Sequence, residues 1–486
     1  MRRFIALIFM LLFIQVNTQA QSCLPEGITF ETQAQIDSFQ VNYPGCTEIE
    51  GDVKIQEYGY DFRIYDLSGL NVLTSIAGDL SIIDNFYLTS LNGLNNLNFI
   101  TGNLLIEGPI YGNPNLTSLA GLDSLSFIGG NLVIEENDVL QTLSGLNSLE
   151  TIGGFFWIYG NASLTNLSGV NNLDTIGGQL DIYYNDALTS LAGIESLTSV
   201  KDIFICNNHQ LISLTGLEGL TSIGGCFNLE SNYSLSTLSG LENITSIEGY
   251  LFIYESSALT NLEGLNNLTF VGERLMIQNN DALTRLTGLN NLTSVGDYLS
   301  IFNNHNLTTI EDVLSLTSIG GRVWITDNDI LNSLNGLNNI DAGTITDLWI
   351  HNNSSLSTCE VQSICEYLVS PNGEIDIDDN AIGCNSPEEV EAACLNGVNE
   401  SSSVRRQSSV SIYPNPSSNF ITIELLSNKP MKNTFLTICN ISGQALSSYQ
   451  IKDKLTAIDV SKLPKGIFVM KVSDDRTLEV GKFVKQ

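Results

Sequence analysis

The chain is poor in positive charge: its 486 residues hold 20 Lys and Arg against 53 Asp and Glu. Six of those cations (Lys54, Arg63, Lys201, Arg274, Arg285, Arg322) lie in residues 21–400 against 47 acidic residues, a net of −41, whereas residues 411–486 hold ten against six, a net of +4. So acidic a body repels phosphate backbones and anionic lipid, which excludes nucleic acid and charged membrane surfaces as partners. The change of sign marks two domains. Histidine is as scarce, with only His209, His305 and His351. The first two occupy one repeat position four coils apart, about 19 Å, and the third another position, so they cannot share a metal. There is no C-x-x-C pair, no H-E-x-x-H, no G-x-S-x-G and no glycine-rich phosphate loop before a helix. Carboxylate pairs without nearby cations are a poor basis for cleaving acidic polymers. The expectation is a non-enzymatic protein without a cofactor.

The repeats also lack any ten-residue amphipathic stretch, which excludes a helical solenoid. Beyond residue 20 no apolar run is long enough to span a bilayer. Residues 1–20 combine two arginines, the run "FIALIFMLLFI" and the small-residue exit "NTQA", the layout of a secretory signal peptide. Export permits disulfides. Cys23 and Cys46 precede the repeats, while Cys359, Cys365, Cys384 and Cys394 follow them, so both ends read as stapled. The four C-terminal cysteines allow three pairings, among which sequence cannot choose. Cys206 and Cys226 fall at different repeat positions and read as free thiols.

The repeating unit is L-x-x-L-x-G-L-x-x-L-x-x-I-G-G-x-L-x-I-x-x-N-x-x, starting at Ile64, Leu88, Leu116, Leu140, Leu164, Leu188, Leu211, Leu235, Leu259, Leu283, Leu307 and Leu331. Spacing is 24 except for one interval of 28, with the insertion "GPIY" near Gly108, and one of 23. Short apolar alternations divided by Gly and Asn mean strands and turns. A unit of this size cannot bury its apolar side alone, but stacking buries it against the next copy. The expected fold is therefore all-β: a parallel β-helix or solenoid of about twelve 24-residue coils, a rod of roughly 58 Å. A glycine column, broken at Asp312, supplies turn geometry. An asparagine column, broken at Ser256, suits a turn whose amides bond along the stack. Sequons such as "NLT" at Asn267 and Asn291 arise from the repeat itself. The threonine column Thr198, Thr221, Thr245, Thr269, Thr293 and Thr317 fits a β-branched ladder.

In each L-x-I-x strand the Leu and Ile point inward and their neighbours outward. The position between them reads Val133, Trp157, Asp181, Phe204, Asn228, Phe252, Met276, Ser300, Trp324 and Trp349, so all three tryptophans fall there. The position after the Ile adds Tyr159, Tyr183, Tyr254 and Phe302. Aromatic surface of this extent marks recognition of a sugar or a protein. The candidate ligand-binding residues are Trp157, Tyr159, Tyr183, Phe204, Phe252, Tyr254, Phe302, Trp324 and Trp349. Asp376, Asp378 and Asn380 have calcium-loop spacing, but no Glu stands at the twelfth position, and they also fit the repeat's own turn.

The unit, with its opening "CTEIEGDVKI", resembles the receptor L domain, the ligand-binding module of insulin- and EGF-type receptors, over residues 23–395. The resemblance implies a right-handed β-helix of three parallel sheets with disulfide-capped ends. Receptor L domains are shorter and accompanied by cysteine-rich modules absent here, so hormone binding does not carry over. After the polar linker at 396–409, short strands at 410–486 indicate a small Ig-like β-sandwich. Its motifs "YPNPSSNFITIEL", "ISGQAL", "IDVSKLPKGIFVMKV" and "KFVKQ" resemble the C-terminal sorting domain of the type IX secretion system in Bacteroidota. That resemblance implies handling by the secretion machinery and export to the outer-membrane surface or the exterior. The domains expected are a signal peptide at 1–20, an N-terminal cap at 21–63, the solenoid at 64–355, a disulfide-rich cap at 356–395, the linker, and the sorting domain. The function expected is adhesion or binding of polysaccharide or a surface protein through the aromatic face. The alternative is a spacer or surface-layer rod without a specific ligand.

Overall fold

The computed structural model describes residues 21–57, 63–108, 112–396, 410–425, 435–440, 445–451, 453–473 and 478–486. The expected signal peptide, residues 109–111 of the insertion and the linker beyond residue 396 lie outside the described residues.

A repeat of 24 residues closes one turn of the chain, so each strand lies on its copy in the next coil. Leu132 pairs with Phe156, Phe156 with Leu180, Leu180 with Ile203 and Ile203 with Phe227, all in parallel ladders. The resulting long sheet has 15 strands, from Ile28–Phe30 to Ile375–Asp378. The twelve expected coils supply the strands from Leu80–Ile83 to Leu348–His351. The rest, Ile28–Phe30, Val53–Gln56 and Ile375–Asp378, come from the two caps, which extend the ladder before closing it. Short helices then cover the ends: Gln33–Asp37 and Phe39–Asn42 at one, Gln362–Val369 and Pro387–Asn396 at the other. The Leu and Ile columns between form one continuous core, nearly all of it fully buried. Disulfides Cys23–Cys46, Cys359–Cys384 and Cys365–Cys394 fasten the caps.

A second column of strands runs as seven from Ser22–Cys23 to Thr175–Ile176 and resumes as five from Ser222–Ile223 to Ser318–Ile319. It is interrupted in the 23-residue coil, where "SVKDIFI" replaces the Ile-Gly-Gly segment and only a single bridge, Thr175 to Ser199, remains. The third side is not the third sheet that the resemblance implied. It consists of stacked turns joined by isolated backbone bonds, such as Leu119 N to Ser144 O at 3.2 Å and Thr165 N to Gln141 O at 3.0 Å. The tight turns Leu146 N to Leu143 O and Leu149 N to Leu146 O leave no extended stretch there. Gly145, at φ +123°, is required at this corner, because a Cβ would strike the Leu119 carbonyl of the preceding coil.

Where the glycine column breaks, Asp312 lies in a 3-10 turn, Glu311–Val313, and is 6% exposed. Its carboxylate accepts from Arg285, Thr287 and Asn290 of the preceding coil at 3.2–3.4 Å.

The asparagine column is a fully buried ladder. Asn161 Oδ1 accepts from Asn137 N at 3.1 Å, its Nδ2 donates to Ile134 O at 2.9 Å and Tyr159 O at 3.1 Å, and its backbone N–H donates to Asn185 Oδ1 at 3.1 Å. One side chain thus joins three coils, closing turns whose preceding residue is left-handed, as at Asn207 (φ 58°) and Asn279 (φ 57°). Asn267 and Asn291, the sequon residues, make a second ladder by donating to Glu242 O and Asn266 O at 2.6 and 2.7 Å. The hydroxyls of Thr245, Thr269 and Thr317 likewise bond the carbonyl of the threonine one coil back at 2.9–3.1 Å, with Thr293 doing the same.

The described residues from 410 onward form two antiparallel sheets of three and four strands around a separate core that includes Ile421, Ile438, Met470 and Phe483. This is the expected small sandwich.

Candidate binding face

Pairing puts the outward residues of the long sheet in two rows. One runs Trp157, Asp181, Phe204, Asn228, Phe252, Met276, Ser300, Trp324, Trp349 and Asp376. The other runs Tyr159, Tyr183, Cys206, Glu230, Tyr254, Gln278, Phe302, Thr326, His351 and Asp378. All nine aromatic candidates lie on this face, each half-buried.

They gather in groups. Trp157 stacks on Tyr159 and Tyr183 at centroid distances of 5.9 and 5.3 Å, and Tyr159 meets Tyr184 edge-on at 5.4 Å. Phe252 stacks on Tyr254 at 5.3 Å. Farther along, Phe302, Trp324 and Trp349 follow one another at 6.1 and 5.8 Å, with Arg322 3.6 Å above the Trp349 ring. Phe204 makes no ring contact among those found for the described residues and stands between the groups. The ring contacts within each group make the face a partly self-packed aromatic ridge. The ring nitrogens Nε1 of Trp324 and Trp349 are buried without a hydrogen-bond partner.

Outward does not mean exposed here, which corrects the sequence-based expectation for part of the row. Asp181 is 1%, Asn228 9%, Ser300 0% and Cys206 2% exposed. Small side chains in a row of large ones are roofed by their neighbours. Around the shortened coil this roof encloses polar groups. Asp181 accepts from Gln179 Nε2 at 2.6 Å. Asn228 Nδ2 lies 3.7 Å from Cys206 Sγ and 3.4 Å from Glu230 Oε2, while its Oδ1 is unpartnered. Burial pushes the Asp181 carboxyl up to about 6, with Asp202 adding to the rise and Gln179 opposing it. Burial likewise pushes the Cys206 thiol up to about 12. Asp181 and Asn228 were legible as members of the row, but only their place beside the shortened coil distinguishes them.

The other sequence candidates are engaged elsewhere. His209 pairs with Asp186 at 3.4 Å, His305 with Asp329 at 2.9 Å, and His351 with Thr326 at 2.9 Å, so the structure does not bring the histidines together. Asn380 is the last rung of the asparagine ladder: its Oδ1 accepts from Asn353 and its Nδ2 donates to Ile350 O at 2.7 Å. That engagement removes it from a calcium loop with Asp376 and Asp378. Among the described residues no group of three or more metal-ligating side chains converges, and no helix is long and apolar enough to cross a membrane.

Comparison with known families now attaches a class to this geometry. The receptor L domain profile matches residues 45–141 and 126–217, so the first half of the solenoid is similar to receptor L domains. The particular kind follows from the other end, where the profile of the secretion system C-terminal sorting domain matches residues 411–486. The chain is cargo of type IX secretion, exported to the cell surface or the extracellular space. No curated protein matches the chain.

Proposed function

We propose that this is a non-enzymatic binding protein of the cell exterior that holds a protein partner through the aromatic ridge of its long sheet. The observation that carries the reading is the confinement of all three tryptophans and six further aromatics to the outer face of one continuous sheet. Stacking of a sugar ring needs an open aromatic face, and at Trp157 and Trp349 a face is occupied by a neighbouring ring or by Arg322. Ring edges flanked by polar groups suit the mixed surface of a protein. With six cations against 47 acids in residues 21–400, a second copy is repelled and a basic surface is attracted.

The test is retention of the exported chain on beads carrying a small basic protein, lysozyme, and on beads carrying neutral polysaccharide. Replacing Trp324→Ala with Trp349→Ala is expected to weaken retention on lysozyme tenfold or more, as loss of an interface hot spot does. Unchanged retention at unchanged folding would favour a spacer rod, and retention on polysaccharide alone would make the ligand a glycan.

A further inference from the structure

The shortened coil is where the repeat departs most from its rule. It lacks both glycines of the Gly-Gly pair, interrupts the second sheet, and lies where two polar residues of the row flank an aromatic one: Asp181, Phe204 and Asn228 on consecutive strands. In a repeat protein such local departures are where function is expected to reside.

The chemistry of the stretch is one-sided. Asp181, almost fully buried, is held by a single hydrogen bond from a neutral amide. Buried carboxylates are ordinarily paired with a cation. The nearest basic residue in sequence, Lys201, is 69% exposed and points at Asp202, 3.6 Å away. Two strands along, Asn228 is nine-tenths buried with an unpartnered carbonyl oxygen, and the Glu230 carboxylate lies 3.4 Å from its amide nitrogen. Acceptors are in excess and a donor bearing positive charge is missing. Phe204 lies between Asp181 and Asn228, with Trp157 and Phe252 one strand further out on either side. Aromatic rings around carboxylate and amide oxygens are the surroundings that stabilise an organic cation. Access to Asp181 and Asn228 requires a change of rotamer in the side chains around them, which needs no backbone movement.

We infer that the shortened coil carries a pocket for one basic side chain of the partner, a guanidinium or an ammonium group, seated on Phe204 between Asp181, Asn228 and Glu230. The inference rests on the aromatic face being the binding surface, and it names the partner chemistry that this face selects.

The experiment titrates the intact exported chain with a blocked hexa-arginine peptide and with its hexa-citrulline counterpart, which keeps the shape and removes the charge. Calorimetry and tryptophan emission are both followed, and lysozyme retention is measured in parallel. Saturable binding of the arginine peptide, at least tenfold tighter than the citrulline peptide and weakened tenfold in Asp181→Asn with Glu230→Gln, is the expected result. Asp181→Asn is nearly isosteric and is expected to raise stability at neutral pH while lowering affinity, a combination that a merely structural residue would not give. The remote variant Glu311→Gln is expected to bind like the parent. Equal weakening in Glu311→Gln, or none in the Asp181 and Glu230 variant, would mean general attraction to an acidic body and would overturn the pocket. No binding of either peptide, with lysozyme retention still lost in the Trp324 and Trp349 variant, would overturn the pocket and leave the binding face standing. Loss of lysozyme retention in the parent chain as well would bring down both.

Discussion

Trp324 and Trp349 lie in register on adjacent strands, their rings 5.8 Å apart and crossed at 80°, with the Arg322 guanidinium 3.6 Å over the second ring. Arg322 is also within 3.8 Å of Asp347, so one side chain joins the aromatic row to the acidic rim. Arg322→Gln removes the cation–π contact, a loss of about 1 kcal/mol for a partly exposed pair. It is expected to lower the melting temperature slightly and to increase acrylamide quenching of tryptophan emission. A lower melting temperature with unaltered quenching would mean that Arg322 does not cover Trp349.

The asparagine ladder fails at one rung. Ser256 is fully buried with its hydroxyl unpartnered, although its backbone N–H still donates to Asn280 Oδ1 at 3.0 Å. Ser256→Asn would restore an acceptor for the preceding rung and a donor for the carbonyls that its neighbours serve. It is expected to stabilise the solenoid by about 1 kcal/mol. Asn161→Ala, which leaves the buried Asn137 N–H without its partner and removes the side-chain bonds to the Ile134 and Tyr159 carbonyls, is expected to destabilise by about 2–4 kcal/mol. Urea denaturation of the two variants beside the parent checks both signs.

Asp181 gives a pH dependence of definite sign. An unfolded aspartate titrates near 3.9, whereas in the folded chain burial pushes Asp181 up to about 6. Between those values the folded state binds more protons than the unfolded state, so stability is greatest at the acid end and falls as pH rises. Glu107 and Glu135, also raised by burial and neighbouring carboxylates, act in the same direction. Asp181→Asn is expected to remove on the order of 2 kcal/mol of the fall between pH 4 and 7. Denaturation midpoints at the two pH values, parent against variant, measure it, and an identical fall in both would contradict the assignment.

The free thiols should differ in reactivity. Cys206 is buried and pushed up to about 12 by burial and Glu230, so little thiolate exists at neutral pH. Cys226 is partly exposed. Native-state alkylation followed by peptide mapping is expected to find Cys226 modified well before Cys206. Reduction of a cap disulfide is expected to destabilise the chain by about 2–5 kcal/mol.

Most of the fold was legible because the repeat is its own structural key. A leucine every 24 residues fixes the coil length, and the core columns follow from it. The limits have local causes. The strand Ile28–Phe30 was hidden because the N-terminal cap lacks the leucine frame there, whereas Ile375–Asp378 was legible from the repeat's own turn at Asn380. The cap helix Gln362–Val369 did carry a signal in Val361, Ile364, Cys365 and Leu368, at helical spacing, but it is too short to stand out. The third side was taken for a sheet by resemblance, whereas the glycine and its tight turns preclude one. For the candidate face, alternation placed every aromatic residue correctly on the outside. What alternation cannot express is that a small polar residue between large rings is buried by them, and this is why Asp181 and Asn228 did not emerge from the sequence.

The most direct test of the central claim uses the tryptophans themselves. Trp157, Trp324 and Trp349 all lie on the proposed face, so their emission reports on that face alone. The intact exported chain, its tryptophans replaced biosynthetically by 7-azatryptophan so that red-edge excitation spares lysozyme's own tryptophans, is titrated with lysozyme while binding is followed independently by light scattering and azatryptophan exposure by acrylamide quenching. The account predicts a saturable fall in quenching that tracks complex formation. Complex formation by light scattering with no change in quenching would place the partner on another side of the solenoid and contradict the account.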